Sequence, residues 1–398
     1  MPVRPRLLVL AVAACAAAAG CSGSSHRQPP PSTTATSGSA VGTTGRPASG
    51  SSTSAPGAAL DIYAHDMTGD WSPNLSPGVI AHPLVYVPNS DSDTVDVIDP
   101  ATFKVVHHYV TGANPQHVAP AYDLRRLFVD NDQGNSLTPI DPSTGLPAGP
   151  NIPVADPYNM YFTPDGSMAI VVCEALRRLD FRNPQTFALI KSLPVPLPVD
   201  GIDHMDFSTD GSYAVMSAEY SGDVVKIDIK HMAVLGSLHV GGSPVDVKLA
   251  PNGKLFYVAN QKRDGVSIID GDNMTEVGFI PTGNGAHGLY PSRDATELYV
   301  SNRGDLARSL PGQGVSVISF ATNKVVAHWQ FAGSPDMGGV SPDGTQLWLS
   351  GRYNREVYVI DTRSGALLAR IPVGAGPHGL DYFPQPGRFS IGHTGNYR

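Results

Sequence analysis

The chain repeats itself at intervals of a little over forty residues, and few folds tolerate such a spacing. Short apolar segments recur as Leu84-Val-Tyr-Val-Pro-Asn89, Leu127-Phe-Val-Asp-Asn131, Ala169-Ile-Val-Val-Cys173, Tyr213-Ala-Val-Met-Ser217, Leu255-Phe-Tyr-Val-Ala-Asn260, Leu298-Tyr-Val-Ser-Asn302, Leu347-Trp-Leu-Ser-Gly351 and Phe389-Ser-Ile-Gly-His393. Their last residues are separated by 42, 42, 44, 43, 42, 49 and 42 positions. A fixed period of this length marks units that bury their apolar faces only against neighbouring copies.

Each repeat carries four strand-like pieces. The apolar segment is followed by a polar turn and an alternating segment such as Thr94-Val-Asp-Val-Ile-Asp99 or Gly265-Val-Ser-Ile-Ile-Asp270. A third piece follows, as in Lys324-Val-Val-Ala-His-Trp329, and a fourth closes on Thr163-Pro-Asp-Gly166, Ser208-Thr-Asp-Gly211, Ala250-Pro-Asn-Gly253 or Ser341-Pro-Asp-Gly344. Period-two alternation of β-branched and aromatic residues between Asp-Gly and Asn-Gly turns predicts strands and hairpins, and no segment shows a helical period. Four short strands per repeat predict a β-propeller of four-stranded antiparallel blades.

Tyr257-Val-Ala-Asn260 and Tyr299-Val-Ser-Asn302 resemble the name motif of the bacterial YVTN family, and Tyr86-Val-Pro-Asn89 is one substitution further away. Val97-Ile-Asp99, Ile269-Asp270 and Val359-Ile-Asp361 are similar to that family's following strand, while Val171-Val-Cys173 and Val215-Met-Ser217 depart from it. The resemblance spans roughly residues 84–393 and implies an exported propeller without naming an activity. No inner strand precedes residue 84, whereas one is expected near Gly379-Leu-Asp-Tyr382. Pairing of C-terminal and N-terminal strands would therefore close seven blades. Residues 389–393 and Leu60-Asp-Ile-Tyr63 could supplement the closing blade, with an irregular eighth blade as the alternative.

The propeller is assigned to residues 59–398, because the first 58 read differently. Arg4 and Arg6 precede an apolar run from Leu7 to Ala19, the pattern of a signal peptide over residues 1–20. Ala18-Ala19-Gly20-Cys21 resembles a lipobox, so Cys21 is the expected lipidation site; simple secretory cleavage is the alternative. Residues 21–58 are rich in Ser, Thr, Gly and Pro, too poor in apolar surface to fold, and read as a disordered tether. These features predict an exported lipoprotein held on the outer face of the cell membrane by its lipid, with no membrane-spanning helix. Residues 59–398 hold 23 basic and 35 acidic side chains, a net charge of −12, which argues against nucleic acid as a partner. Cys173 lies in an apolar run and is expected to be buried and inert. A closed ring needs no partner for its edges, so a monomer is expected.

The candidate site lies where each inner strand begins, a ring of positions around one mouth of the axial channel. Two positions per blade read Gln116-His117, Tyr158-Asn159, Asp203-His204, Val245-Asp246, Ala286-His287, Asp336-Met337 and Pro377-His378. Four of these fourteen are histidine, although the whole chain of 398 residues holds only 13. His117, His204, His287 and His378, with Asp203, Asp246 and Asp336, suit a divalent metal or general acid-base chemistry. Neighbouring strand residues face opposite ways, so the sequence leaves open whether all four histidines converge. The loops between the apolar first strand and the alternating second strand of successive repeats add a candidate binding face with Arg263, Arg303, Arg352 and Tyr353.

Two patterns carry nothing. Gly374-Ala-Gly-Pro-His-Gly379 matches a dinucleotide fingerprint but opens no helix, and Asp130-Asn-Asp-Gln-Gly134 lacks the acidic end of a calcium loop. Two classes of function follow. The first is an extracytoplasmic binding or scaffold module contacting a protein, glycan or small molecule through one loop face. The second is an enzyme at the channel mouth, whether metal-dependent lyase, lactone hydrolase or redox protein; no nucleophile motif supports it.

Overall fold

The structure, a computed structural model, describes residues 71–398. The signal segment, Cys21, the tether and Leu60-Asp-Ile-Tyr63 lie outside the described residues. Seven antiparallel sheets follow one another around an axis, and each is one blade. Blade 1 holds Leu84–Asn89, Thr94–Asp99 and Lys104–Val110; blades 2 to 7 begin at Pro115, Pro157, Ile202, Pro244, Ala286 and Pro335. The expected seam is present. Asp381–Phe383 supplies the inner strand of blade 1, with Leu84 opposite Phe383 and Tyr86 opposite Asp381. Helix is confined to Pro77–Ala81 and two 3-10 turns among the described residues, and its Ser76 Oγ accepts from the Val79 amide.

Blade packing follows from strand parity. Val85 and Val87 face Trp348, Val357 and Val359 of blade 7, while Tyr86, Val95 and Val97 face Val118, Leu127 and Val129 of blade 2. Successive residues point to opposite faces, so each sheet contributes to two cores and every interface between neighbours has its own cluster. The repeated motifs have local causes. In Ser341-Pro-Asp-Gly344, Asp343 Oδ1 accepts from the Thr345 amide at 3.0 Å, and Gly344 takes φ +74°, where a side chain would be strained. The asparagine ending the second strand reaches across its hairpin: Asn89 Nδ2 donates to Thr94 Oγ1 at 3.1 Å, and Asn131 Nδ2 donates to Thr138 Oγ1 at 2.9 Å.

The last residues depart from the expectation. Residues 389–393 do not supplement the closing blade. Ser390–Gly392 instead joins the inner edge of blade 3, with Gly392 opposite Tyr161, and residues 393–398 pack across the inner strands. Arg398 reaches Asp206 at 2.6 Å, and the Lys248 ammonium donates to Asn396 Oδ1 at 2.8 Å. This C-terminal segment sets His393 into the channel, fully buried.

Candidate metal centre in the axial channel

Parity alone would send consecutive inner-strand residues in opposite directions, yet both members of several pairs are turned to the axis. The cause is a bulge. Pairing slips between Pro115 and His117, between Ile202 and Met205, between Ala286 and Leu289, and between Pro335 and Gly338. A bulge leaves a residue unpaired and re-aims its side chain. Asp203 and His204, adjacent in sequence, thus bring Oδ1 and Nε2 within 3.1 Å, although neither atom is aligned for a hydrogen bond.

Five buried imidazoles form a chain. Ring centroids are 5.9 Å apart for His287 and His378, 4.8 Å for His378 and His117, 5.1 Å for His117 and His204, and 4.3 Å for His204 and His393. Among the described residues, one ligand atom each of His117, His204 and His393 lies within 4.8 Å of the others. His287 stands at the far end of the chain, so the four histidines expected from the sequence do not share one point. His393 takes the place that the strand starts had suggested for His287 or His378.

Hydrogen bonds set the tautomers. The Tyr158 carbonyl accepts from His117 Nδ1 at 2.9 Å, so Nε2 keeps its lone pair, and that atom is buried without a partner. The Met160 amide donates to Asn159 Oδ1 at 2.8 Å and thereby fixes the carboxamide. Asn159 Nδ2 then donates to Nδ1 of His204 and of His393, both at 2.8 Å. His393 Nε2 faces Asp246 Oδ1 at 3.3 Å. Burial holds His117 down at about 4, and it also lowers His204, His287, His378 and His393. All five rings are neutral at physiological pH, the form that binds metal.

Asp336 organises the other end. Its Oδ2 accepts from His378 Nδ1 at 2.6 Å, and its Oδ1 stands 2.9 Å from His287 Nδ1 and 3.0 Å from Arg303. Burial alone would raise this carboxyl, but His287, Arg303 and His378 outweigh it and hold the group well below the usual range. The loop-face residues divide. Arg303 lies 5.8 Å from the Tyr353 ring and donates to Gln261, and Arg352 donates to Ser90 Oγ at 2.9 Å. Arg263 instead pairs with Glu276 at 2.7 Å and covers Phe279 within its own blade, so it does not join them. Cys173 is buried as expected, its thiol pushed up to about 12 by burial.

Sequence reasoning missed His393 because Phe389-Ser-Ile-Gly-His393 reads as one more apolar strand. Its signal is Gly392-His-Thr-Gly395, whose glycines take φ +94° and +70°: a turn, not a strand. Asn159 and Tyr158 stand at strand-start positions, but nothing in their side chains marks them as supports.

Across the ring from Arg303 and Arg352, carboxylates crowd blades 3 and 4. Burial, then Asp132, Glu219 and Asp156, push Glu174 up to about 8. The folded chain therefore keeps a proton that the unfolded chain releases, and stability falls from about pH 4.5 to about 8. Glu174→Gln is expected to raise the melting temperature by roughly 2 to 5 °C at pH 8 and to change it little at pH 5. Thermal denaturation by circular dichroism at both pH values checks this; an equal shift at both would show the carboxyl ionised throughout.

Comparison with known proteins places this architecture. No curated protein matches the sequence. The hydrazine synthase of Kuenenia stuttgartiensis superposes with a TM-score of 0.57 at 20% identity, covering 66% of this chain and 87% of that one. A functionally unknown protein from Desulfotomaculum acetoxidans DSM 771 gives 0.60 at 16% identity, covering 75% and 98%. A putative 6-phosphogluconolactonase from Bacteroides uniformis ATCC 8492 gives 0.62 at 16% identity, covering 76% and 99%. At such identity these share the fold alone. Residues 72–385 match the YNCE-like beta-propeller family, a propeller family of the YVTN kind, and the chain belongs to it.

Proposed function

We propose that this chain is an extracytoplasmic binding propeller, lipid-anchored through Cys21, that holds a divalent transition-metal ion in its channel. The carrying observation is the buried cluster of His117, His204 and His393. Three neutral imidazoles suit zinc, copper, nickel or iron and leave a coordination position open. Metal–nitrogen bonds of about 2.1 Å require shifts of up to about an ångström from the present separations. His117 is held as a metal-binding histidine needs, its Nδ1 proton given to a carbonyl and its Nε2 lone pair free. At His204 and His393 an ion would take the Nδ1 lone pairs that Asn159 now occupies, with Asp246 placed to accept the Nε2 proton of His393. The anchor, the tether and an anionic domain support display on the cell surface, with Arg303, Arg352 and Tyr353 on the face turned to a protein, glycan or small molecule.

Metal analysis tests this. After dialysis against zinc and removal of excess, the protein is expected to carry about one ion per chain. His204→Ala and His393→Ala should lose it, while His328→Ala, on the outer strand Lys324–Trp329, should keep it. Equal zinc in all four proteins would overturn the assignment.

A further inference from the structure

The mouth of the channel is electrostatically lopsided. Arg303 and Arg352 belong to blades 6 and 7, whereas Glu174 and Glu219 follow the second strands of blades 3 and 4. Backbone bonds bring these two glutamates to either side of one loop. The Gly201 amide donates to the Glu174 carbonyl at 3.5 Å, and the Glu219 amide donates to the Gly201 carbonyl at 2.7 Å. Two residues further on, Asp203 turns inward. It is 2% exposed, the Tyr158 hydroxyl is its hydrogen-bonding neighbour, and Oδ1 lies 3.1 Å from His204 Nε2.

We propose that Glu174, Glu219 and Asp203 form an inlet for divalent cations, an outer capture site that passes the ion to His117, His204 and His393. This rests on the metal reading above. Buried carboxyl groups crowded together carry a desolvation cost, and a cation bound between them offsets it. The path continues inward to His117 Nε2, which is buried without a hydrogen bond. The path is one-sided, since the guanidinium groups across the ring repel the same ion. Position 201 keeps the loop close: a Cβ there would stand 2.4 Å from the Tyr220 ring, and Gly201 takes φ +100°. Clefts lined by one sign of charge raise association rates by about 10- to 1,000-fold, an effect that salt removes.

Stopped-flow mixing with cobalt(II) alone tests the inlet, read by the visible absorption that histidine coordination produces. At pH 9, where the Glu174 carboxyl has shed its proton, the double variant Glu174→Gln/Glu219→Gln is expected to bind with full amplitude but at least tenfold more slowly at low ionic strength. The wild-type rate should fall steeply with added salt and the variant's rate should not. Asp123→Asn, in the turn between the first and second strands of blade 2, should behave as wild type. A full-amplitude double variant as fast as wild type would overturn the inlet alone. No spectral change in the wild type would overturn the histidine site and the inlet with it.

Discussion

Replacing Asp336 with alanine is expected to cost about 3 to 5 kcal/mol of stability and to lower the melting temperature by roughly 6 to 10 °C. The carboxylate is fully buried and faces three cationic or donor groups at 2.6–3.0 Å, namely His378, His287 and Arg303. Its removal strands a guanidinium whose side chain is 11% exposed, leaving only Gln261 and the distant face of Tyr353 to replace the lost charge. Removing both charges should be milder than removing one, so Asp336→Ala/Arg303→Met is expected to recover most of the loss. The acid dependence has a definite sign. The folded-state value lies below the unfolded one, so the stabilisation is complete above about pH 4 and disappears as pH falls through the folded value. Thermal unfolding of the three proteins between pH 3 and 8 is the measurement; a loss under about 1 kcal/mol for the single variant would show that solvent already screens Arg303.

The propeller was legible because its information is local and repeated. Val85, Tyr86 and Val87 alternate between two blade interfaces, and the alternation is visible in the residues themselves. The seam was legible too, since blade 1 lacks an inner strand before Leu84 and only the C-terminal end can supply one. The site was half legible. The excess of histidine at the strand starts marked the channel, but period-two reasoning could not say which rings meet. Bulges at Pro115–His117 and Ile202–Met205 cancel that parity, and a bulge depends on how two strands pair rather than on either strand. His393 was illegible for a related reason. Its position depends on a tertiary choice, whether the segment after Phe383 adds to the blade it has just closed or crosses to blade 3. Buried contacts with Asp206, Lys248 and Asp246 favour the crossing, and all three lie well over a hundred residues earlier in the chain.

That division predicts opposite results for two truncations. Deleting residues 386–398 is expected to leave a folded ring that no longer retains metal. Deleting residues 381–398 is expected to leave no cooperative unfolding transition. In the shorter deletion Asp381–Phe383 still pairs with Leu84–Tyr86, and the blade interfaces keep the apolar residues of their strands, losing Ile391 and Phe389 from one core and Tyr397 from another, but His393 is gone. Its structural cost is moderate. Asp206 loses Arg398 yet keeps the Phe207 and Leu249 amides, while the buried Lys248 loses Asn396 and retains only Asp246 at 4.0 Å. The longer deletion strips the inner strand from blade 1 and removes Tyr382 from the core shared with Trp348 and Val85. The inner edge of Leu84–Asn89 is then unpaired and the ring is open, which exposes a strand edge and invites aggregation. Size-exclusion chromatography, thermal unfolding and zinc content of the two proteins are the readouts. Stoichiometric zinc in the shorter protein would remove His393 from the ligand set, and a normal melt of the longer deletion would show that the seam does not hold the ring.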